Sequence, residues 1–146
     1  MNAQDPLLDR LVAARTAAKT LATATTAQKN AALEAIAQHI ETSITEIVAA
    51  NAEDLARGRD NGLDVGLLDR LLLDETRLRG LAAAVREIIA LPDPVGSVVR
   101  GSTLPNGITL AQVRVPFGVV GAIYEARPNV TIDIAALALK SGNGAV

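Results

Sequence analysis

The hydrophobic period of this chain changes at Leu91-Pro92-Asp93-Pro94. Before that point apolar residues recur at helical spacing, and after it they alternate. A period near 3.6 lines one face of a helix, and a period of 2 lines one face of a strand. The predicted class is therefore α/β: a helical N-terminal layer over residues 1–91, a β-hairpin arm over 95–115, and the start of a parallel sheet over 117–146.

In the helical half, Asp5-Pro6 supplies an N-cap followed by proline at the first helical position. Leu7, Leu8, Leu11, Val12, Ala18, Leu21 and Ala22 follow at helical spacing. The Ala/Thr-rich stretch Leu21–Ala27 interrupts, and Thr25 or Thr26 caps the next helix. Its stripe is Leu33, Ile36, Ala37, Ile40, Ile44, Ile47 and Val48, with Lys29, Glu34, Gln38 and Glu41 turned outward. Asn51-Ala52-Glu53-Asp54 begins a short acidic-headed helix that stops near Asn61-Gly62. Asp74-Glu75 caps another, with Leu78, Leu81, Val85, Ile88 and Ile89 inward.

Beyond Pro94, Val98, Arg100 and Ser102 and then Ile108, Leu110, Gln112 and Arg114 read as two strands around Pro105-Asn106-Gly107. Asn-Gly between alternating runs signals a hairpin. Val119–Tyr124 is apolar throughout, as expected of a parallel strand buried on both faces. Val130–Lys140 returns to helix with Ile134 and Leu137 inward, and Ser141-Gly142-Asn143-Gly144 ends it in a C-cap turn. Ala145-Val146 reads as the opening of another strand, so the expectation is a truncated piece of a longer protein.

Composition narrows the function. Cysteine is absent, which removes disulfides, thiolate metal sites and a cysteine nucleophile from this chain. The single His39 sits mid-helix, so no metal site and no Ser-His-Asp triad is expected. A net charge of −2 without a basic block argues against nucleic acid and anionic membranes, with the cluster Arg57–Arg59 left open. The N-terminus lacks a signal-peptide pattern, and Val115–Tyr124 is too short to span a bilayer. A soluble cytoplasmic protein is expected. The only aromatic residues are Phe117 and Tyr124, so aliphatic and small side chains must build the core.

The candidate site is the corner from Tyr124 to Thr131. Ligands of open α/β sheets bind beyond the carboxyl ends of parallel strands. The N-terminus of the next helix favours an anion there. Arg127 suits a phosphate or carboxylate, and Asn129 offers an amide donor for a developing oxyanion. The plainer alternative is that Asn129 caps the helix and Arg127 pairs with Glu125. Gly118 and Gly121 form no dinucleotide fingerprint, and Lys140 suits the last turn of its helix.

The stretch RVPFGVVGAIYEARPNVTIDIAALALKSGN resembles a segment of the γ-glutamyl phosphate reductases, also called glutamate-5-semialdehyde dehydrogenases, within the aldehyde dehydrogenase superfamily. Tyr124-Glu125-Ala126-Arg127-Pro128-Asn129-Val130-Thr131 is similar to that family's signature, and Lys140-Ser141-Gly142-Asn143 closes it. Ala50–Leu55, Leu68–Leu71 and Asp93–Gly96 also resemble the family, so the likeness covers essentially the whole chain as an N-terminal portion. The resemblance implies an aldehyde dehydrogenase-like, Rossmann-like sheet and NADPH-dependent reduction of L-glutamyl 5-phosphate to L-glutamate 5-semialdehyde in proline biosynthesis. That reaction runs through a cysteine thioester, whose cysteine is not on this chain. It also implies NADP as cofactor along Tyr124, Glu125 and Ala126, Asn129 as oxyanion stabiliser and Arg127 on a substrate anion. A homo-oligomer, association with glutamate 5-kinase and inactivity of this chain alone complete the expectation. The alternative is a non-catalytic interaction or oligomerisation fragment of the same fold.

Overall fold

The computed structural model describes residues 6–125 and 127–146, so the expected Asp5 cap lies outside the described residues. The elements in order are α1 (Pro6–Leu21), α2 (Thr26–Thr42), α3 (Ile44–Asp60), α4 (Val65–Leu71), α5 (Glu75–Ala90), β1 (Val98–Thr103), β2 (Thr109–Val113), β3 (Val119–Val120), α6 (Pro128–Lys140) and β4 (Gly144–Ala145).

The core lies where α2, α5 and α6 meet. Leu33, Ala37 and Ile40 pack against Leu78, Ala82 and Val85, with Ala136 closing the third side. Ala37, Ala82 and Ala136 are wholly buried. Small side chains let helices approach closely, which explains how this core forms without aromatic residues. Arg86 of α5 ties both Glu34 and Glu41 of α2, at 3.1 and 2.6 Å. Its hydrogen bond holds the Glu41 carboxyl below the usual carboxylate range, and the two glutamates raise Arg86 in return.

The capping residues behave as their chemistry dictates. Thr25 and Gln28 form a reciprocal capping box at the start of α2. Asp64 and Asp74 accept the backbone N–H of Leu67 and Arg77 at the starts of α4 and α5, at 2.8 and 2.7 Å.

Several expected boundaries and faces move. The long helix through Val48 divides at Ser43, whose backbone leaves the helical region. Thr42 Oγ1 donates to the carbonyls of Gln38 and His39, and hydroxyls bonded back into the preceding turn bend helices. Asn51 therefore lies inside α3 rather than at its head. Lys29 does not turn outward: it is only 2% exposed and meets Asp93 at 2.5 Å. The first two turns of α1 leave Leu7, Leu8, Leu11 and Val12 exposed, while Ala18 farther along is buried. Helix α6 begins at Pro128 and exposes Leu137, presenting Ala136, Ala138 and Lys140 inward instead. Its rotation is set by the buried Lys140, which donates to Asn30 Oδ1 at 2.8 Å and to the Ile89 carbonyl at 2.9 Å.

Strands β1 and β2 form the expected antiparallel hairpin, exposed along its whole length. Its loop is Pro105-Asn106-Gly107, with Gly107 N–H bonded to the Leu104 carbonyl at 2.9 Å. Gly107 takes φ +86°, the left-handed residue that a three-residue hairpin loop needs. Strand β3 runs parallel to β4, as expected. It is shorter than Val119–Tyr124, and the run is not buried on both faces: Val119 and Val120 are half-buried and Ile123 is fully exposed. Among the described residues β4 is its one neighbouring strand, and no helical layer covers Ile123. Gly142, at φ +74°, makes the C-cap turn after α6. The buried side chain of Asn143 then accepts the Gly118 N–H at 3.0 Å, fixing the entry to β3.

Candidate functional site

The corner between β3 and α6 opens into a cleft of about 440 Å³ whose opposite wall comes from α4, α5 and their connection. Pro128 disfavours helical geometry in the residue before it, so Arg127 stands outside the helix with φ −138° and ψ 79°. Arg127 and Asn129 line one side of the cleft, and Asp69, Arg70 and Arg77 line the other.

The far wall is built by hydrogen bonds to backbone. Asn51 Nδ2 donates to the Leu71 carbonyl at 2.9 Å, and its Oδ1 accepts the Leu73 N–H at 2.7 Å. One buried amide thus fixes the chain leaving α4. The Asp74 cap then places Arg77 in the first turn of α5. Arg77 donates to Asp69 Oδ1 at 2.6 Å, to the Asp69 carbonyl, and to the Leu72 carbonyl at 3.1 Å. It is spent mainly on holding the wall. Arg70 and Arg127 form no ion pair among the described residues. The cleft therefore presents guanidinium charge in excess of its one carboxylate, Asp69.

The plainer reading of the corner does not describe its geometry. No side chain caps α6, and Asn129 lies inside the helix. Its Nδ2 donates to Asp133 Oδ2, one turn on, at 3.3 Å. A primary amide carries two N–H donors, so one remains for a ligand. No ion pair joins Arg127 to Glu125 among the described residues.

The remaining expected site residues fall elsewhere. Tyr124 bonds its hydroxyl to Thr131 Oγ1 at 2.6 Å, tying the strand end to the first turn of α6. Glu125 is exposed, neither residue lines the cleft, and Ala126 lies outside the described residues. The structure thus brings Arg127 and Asn129 together and leaves Tyr124 and Glu125 beside them. Asp69, Arg70 and Arg77 join the cleft without having been expected there from the sequence. The available signal was two aspartate caps, Asp64 and Asp74, bracketing a short apolar run.

His39 is exposed beside an apolar hollow lined by Ile36, Ile40, Ile47 and Ile132. Among the described residues no cluster of His, Cys, Asp and Glu is arranged to hold a metal. No described helix is long and apolar enough to cross a membrane.

No family model matches the chain. It is 66% identical over 140 residues to a gamma-glutamyl phosphate reductase of Leifsonia xyli subsp. xyli, covering 96% of this chain and 33% of that protein. A gamma-glutamyl phosphate reductase of Vibrio cholerae is 58% identical over 134 residues, covering 92% of this chain and 32% of its own length. The crystal structure of the gamma-glutamyl phosphate reductase from Thermotoga maritima superposes with a TM-score of 0.93 at 41% identity, over 97% of this chain and 34% of that one. The enzyme from Saccharomyces cerevisiae gives 0.91 at 33% identity, over 98% and 36%. The chain thus spans about a third of the length of the relatives it matches.

Proposed function

We propose, from a chain that matches γ-glutamyl phosphate reductases over about a third of their length, that the protein containing it reduces L-glutamyl 5-phosphate to L-glutamate 5-semialdehyde and releases phosphate. The observation that supports this most directly is the placement of Arg127 and Asn129, at the N-terminus of α6, on one wall of a cationic cleft.

In this reading a cysteine from outside these 146 residues attacks the acyl carbon, the bond to the phosphate oxygen breaks, and phosphate leaves with the electron pair. NADPH, held along Tyr124 and Glu125, would supply the hydride for reduction of the thioester's acyl carbon, from which the cysteine thiolate leaves as the aldehyde forms. Arg127 and the α6 N-terminus hold the phosphate dianion. The Asn129 N–H not used by Asp133 donates to the carbonyl oxygen as negative charge develops on it. Asp133 acts by orienting that amide.

The cofactor's nearest neighbours would be Tyr124 and Glu125. The backbone from Ile123 to Glu125 records no hydrogen bond to another described residue, whereas Ala122 N–H still reaches the Val146 carbonyl at 2.8 Å. An open run of donors and acceptors at a strand end fits a carboxamide, which carries both. The same proposal makes the exposed hairpin an oligomer-forming arm of a cytoplasmic enzyme that receives its labile acyl phosphate from glutamate 5-kinase.

The direct test is NADPH oxidation by the full-length protein with enzymatically generated L-glutamyl 5-phosphate. No oxidation above background rejects the proposal. Arg127→Ala should raise KM for the acyl phosphate by roughly 10-fold, the loss of one charge-assisted contact. An unaltered KM removes Arg127 from the phosphate site. A non-catalytic interaction fragment is the second reading, favoured by the exposure of every hairpin residue. A full-length protein that oligomerises without turning over substrate would support it.

A further inference from the structure

The far wall of the cleft has no role in the chemistry at Asn129, yet it carries charge of both signs. We propose that Asp69 and Arg70, backed by Arg77, form a seat for the α-amino-acid end of the substrate and so determine which acyl phosphate is accepted. This rests on the proposed reaction for the substrate's identity.

The placement follows from the ligand's own geometry. If Asn129 donates to the acyl oxygen, the reacting carbon and its phosphate lie on the Arg127 side. An extended glutamyl chain carries its α-carbon and α-carboxylate roughly 5 Å farther on. The cleft's volume of about 440 Å³ accommodates a small metabolite of that length. The opposite wall then meets an α-carboxylate and an α-ammonium, groups that demand one cation and one anion. Arg70 is exposed and has no ion-pair partner among the described residues, so its planar fork is free for a carboxylate. Asp69 gives one oxygen to Arg77 and retains acceptor capacity for an ammonium. Arg77 serves as a positioning residue, since its bonds to Asp69 and to the Leu72 carbonyl hold that carboxylate at the cleft.

This arrangement favours the ligand that supplies both charges, because each exposed group gains a partner only from the matching end. An acyl phosphate without the amino group offers nothing to Asp69. One without the carboxylate leaves Arg70 unpaired.

Calorimetric titration of the full-length protein with L-glutamate, glutarate and inorganic phosphate tests the seat separately from turnover. Arg70→Ala should weaken L-glutamate and glutarate at least 10-fold and leave phosphate within about 2-fold, with Arg70→Lys intermediate. Asp69→Asn should weaken L-glutamate but not glutarate. Wild-type protein that binds neither dicarboxylate overturns the seat. So does Arg70→Ala binding both as wild type does, or losing all three ligands equally. Asp69→Asn weakening both dicarboxylates alike overturns the ammonium role. Failure of the reaction itself shows separately, as absent NADPH oxidation by wild type. In an active enzyme, Arg70→Ala should raise KM for the acyl phosphate with kcat within about 2-fold.

Discussion

Replacing Asn129 with alanine should lower kcat for acyl-phosphate reduction by ~100-fold or more in the full-length protein, with little change in KM. A donor aimed at an oxyanion stabilises charge that exists only as the reaction proceeds, so its loss appears in kcat. The structural cost of the change is small. Asn129 contributes no cap, and its one recorded side-chain bond is the 3.3 Å contact to Asp133 within the same helix. Circular dichroism and the melting temperature should therefore match wild type. Turnover unchanged from wild type would remove Asn129 from the mechanism. A raised KM with kcat intact would make it a binding residue instead. Asp133→Ala should reproduce a fraction of the kcat loss, because the amide would lose the partner that orients it.

Replacing Lys29 with methionine should destabilise the fold by about 3 kcal/mol, the lower end of what breaking a buried ion pair costs. At this chain length that corresponds to a melting point lower by roughly 10 °C. Methionine keeps the apolar length of the lysine and removes its charge. Asp93 then keeps the Thr26 hydroxyl at 2.7 Å and the Val95 N–H at 3.0 Å but loses its cation. Adding Asp93→Asn should recover part of the loss, because no unpaired charge then remains.

The effect carries a pH signature. Burial pushes the Asp93 carboxyl up, but the hydrogen bonds from Lys29, Thr26 and Val95, with the lysine's charge, together outweigh it and hold the group below its ordinary value of 3.8. A carboxyl lowered by folding stabilises the native state fully above its unfolded pKa. That contribution is lost as pH falls from there through the folded value. The gap between wild type and Lys29→Met should be widest near neutral pH and narrow below about pH 4. Urea unfolding at both ends of that range measures it. A gap that stays constant would mean that packing, not charge, sets the cost.

These two residues mark what the sequence could and could not tell. Caps announce themselves locally: Thr25, Asp64 and Asp74 each bond within three residues, and their neighbours point to Asp74 and narrow the α2 cap to Thr25 or Thr26. The change of period likewise located the hairpin, and the run from Val119 located a parallel strand. Lys29 gave the opposite signal. Its position beside an apolar stripe says nothing about Asp93, which arrives from beyond α5 and makes burial possible. Lys140 and Asn51 are of the same kind, polar residues buried because a carbonyl or amide from a distant segment meets them. The candidate site divides in the same way. Arg127 and Asn129 sit two positions apart in the chain, whereas Arg70 and Arg77 join them only once α4 and α5 are packed against the corner.

The three alanines at the centre of the helical core bear on the reach of the cleft. Helix α6 carries Arg127 and Asn129 at or beside one end, Ala136 along its length, and the anchored Lys140 at the other. It acts as a lever pivoted at Lys140 that rests through the Ala136 methyl on α2 and α5. A small displacement at Ala136 is magnified at the tip, because the helix is stiff and its Lys140 end is pinned. The distance between the guanidinium of Arg127 and the wall bearing Arg70 is thus calibrated by side-chain size in the hydrophobic interior. Enlarging Ala136 should therefore shift the α6 N-terminus and change the width of the cleft.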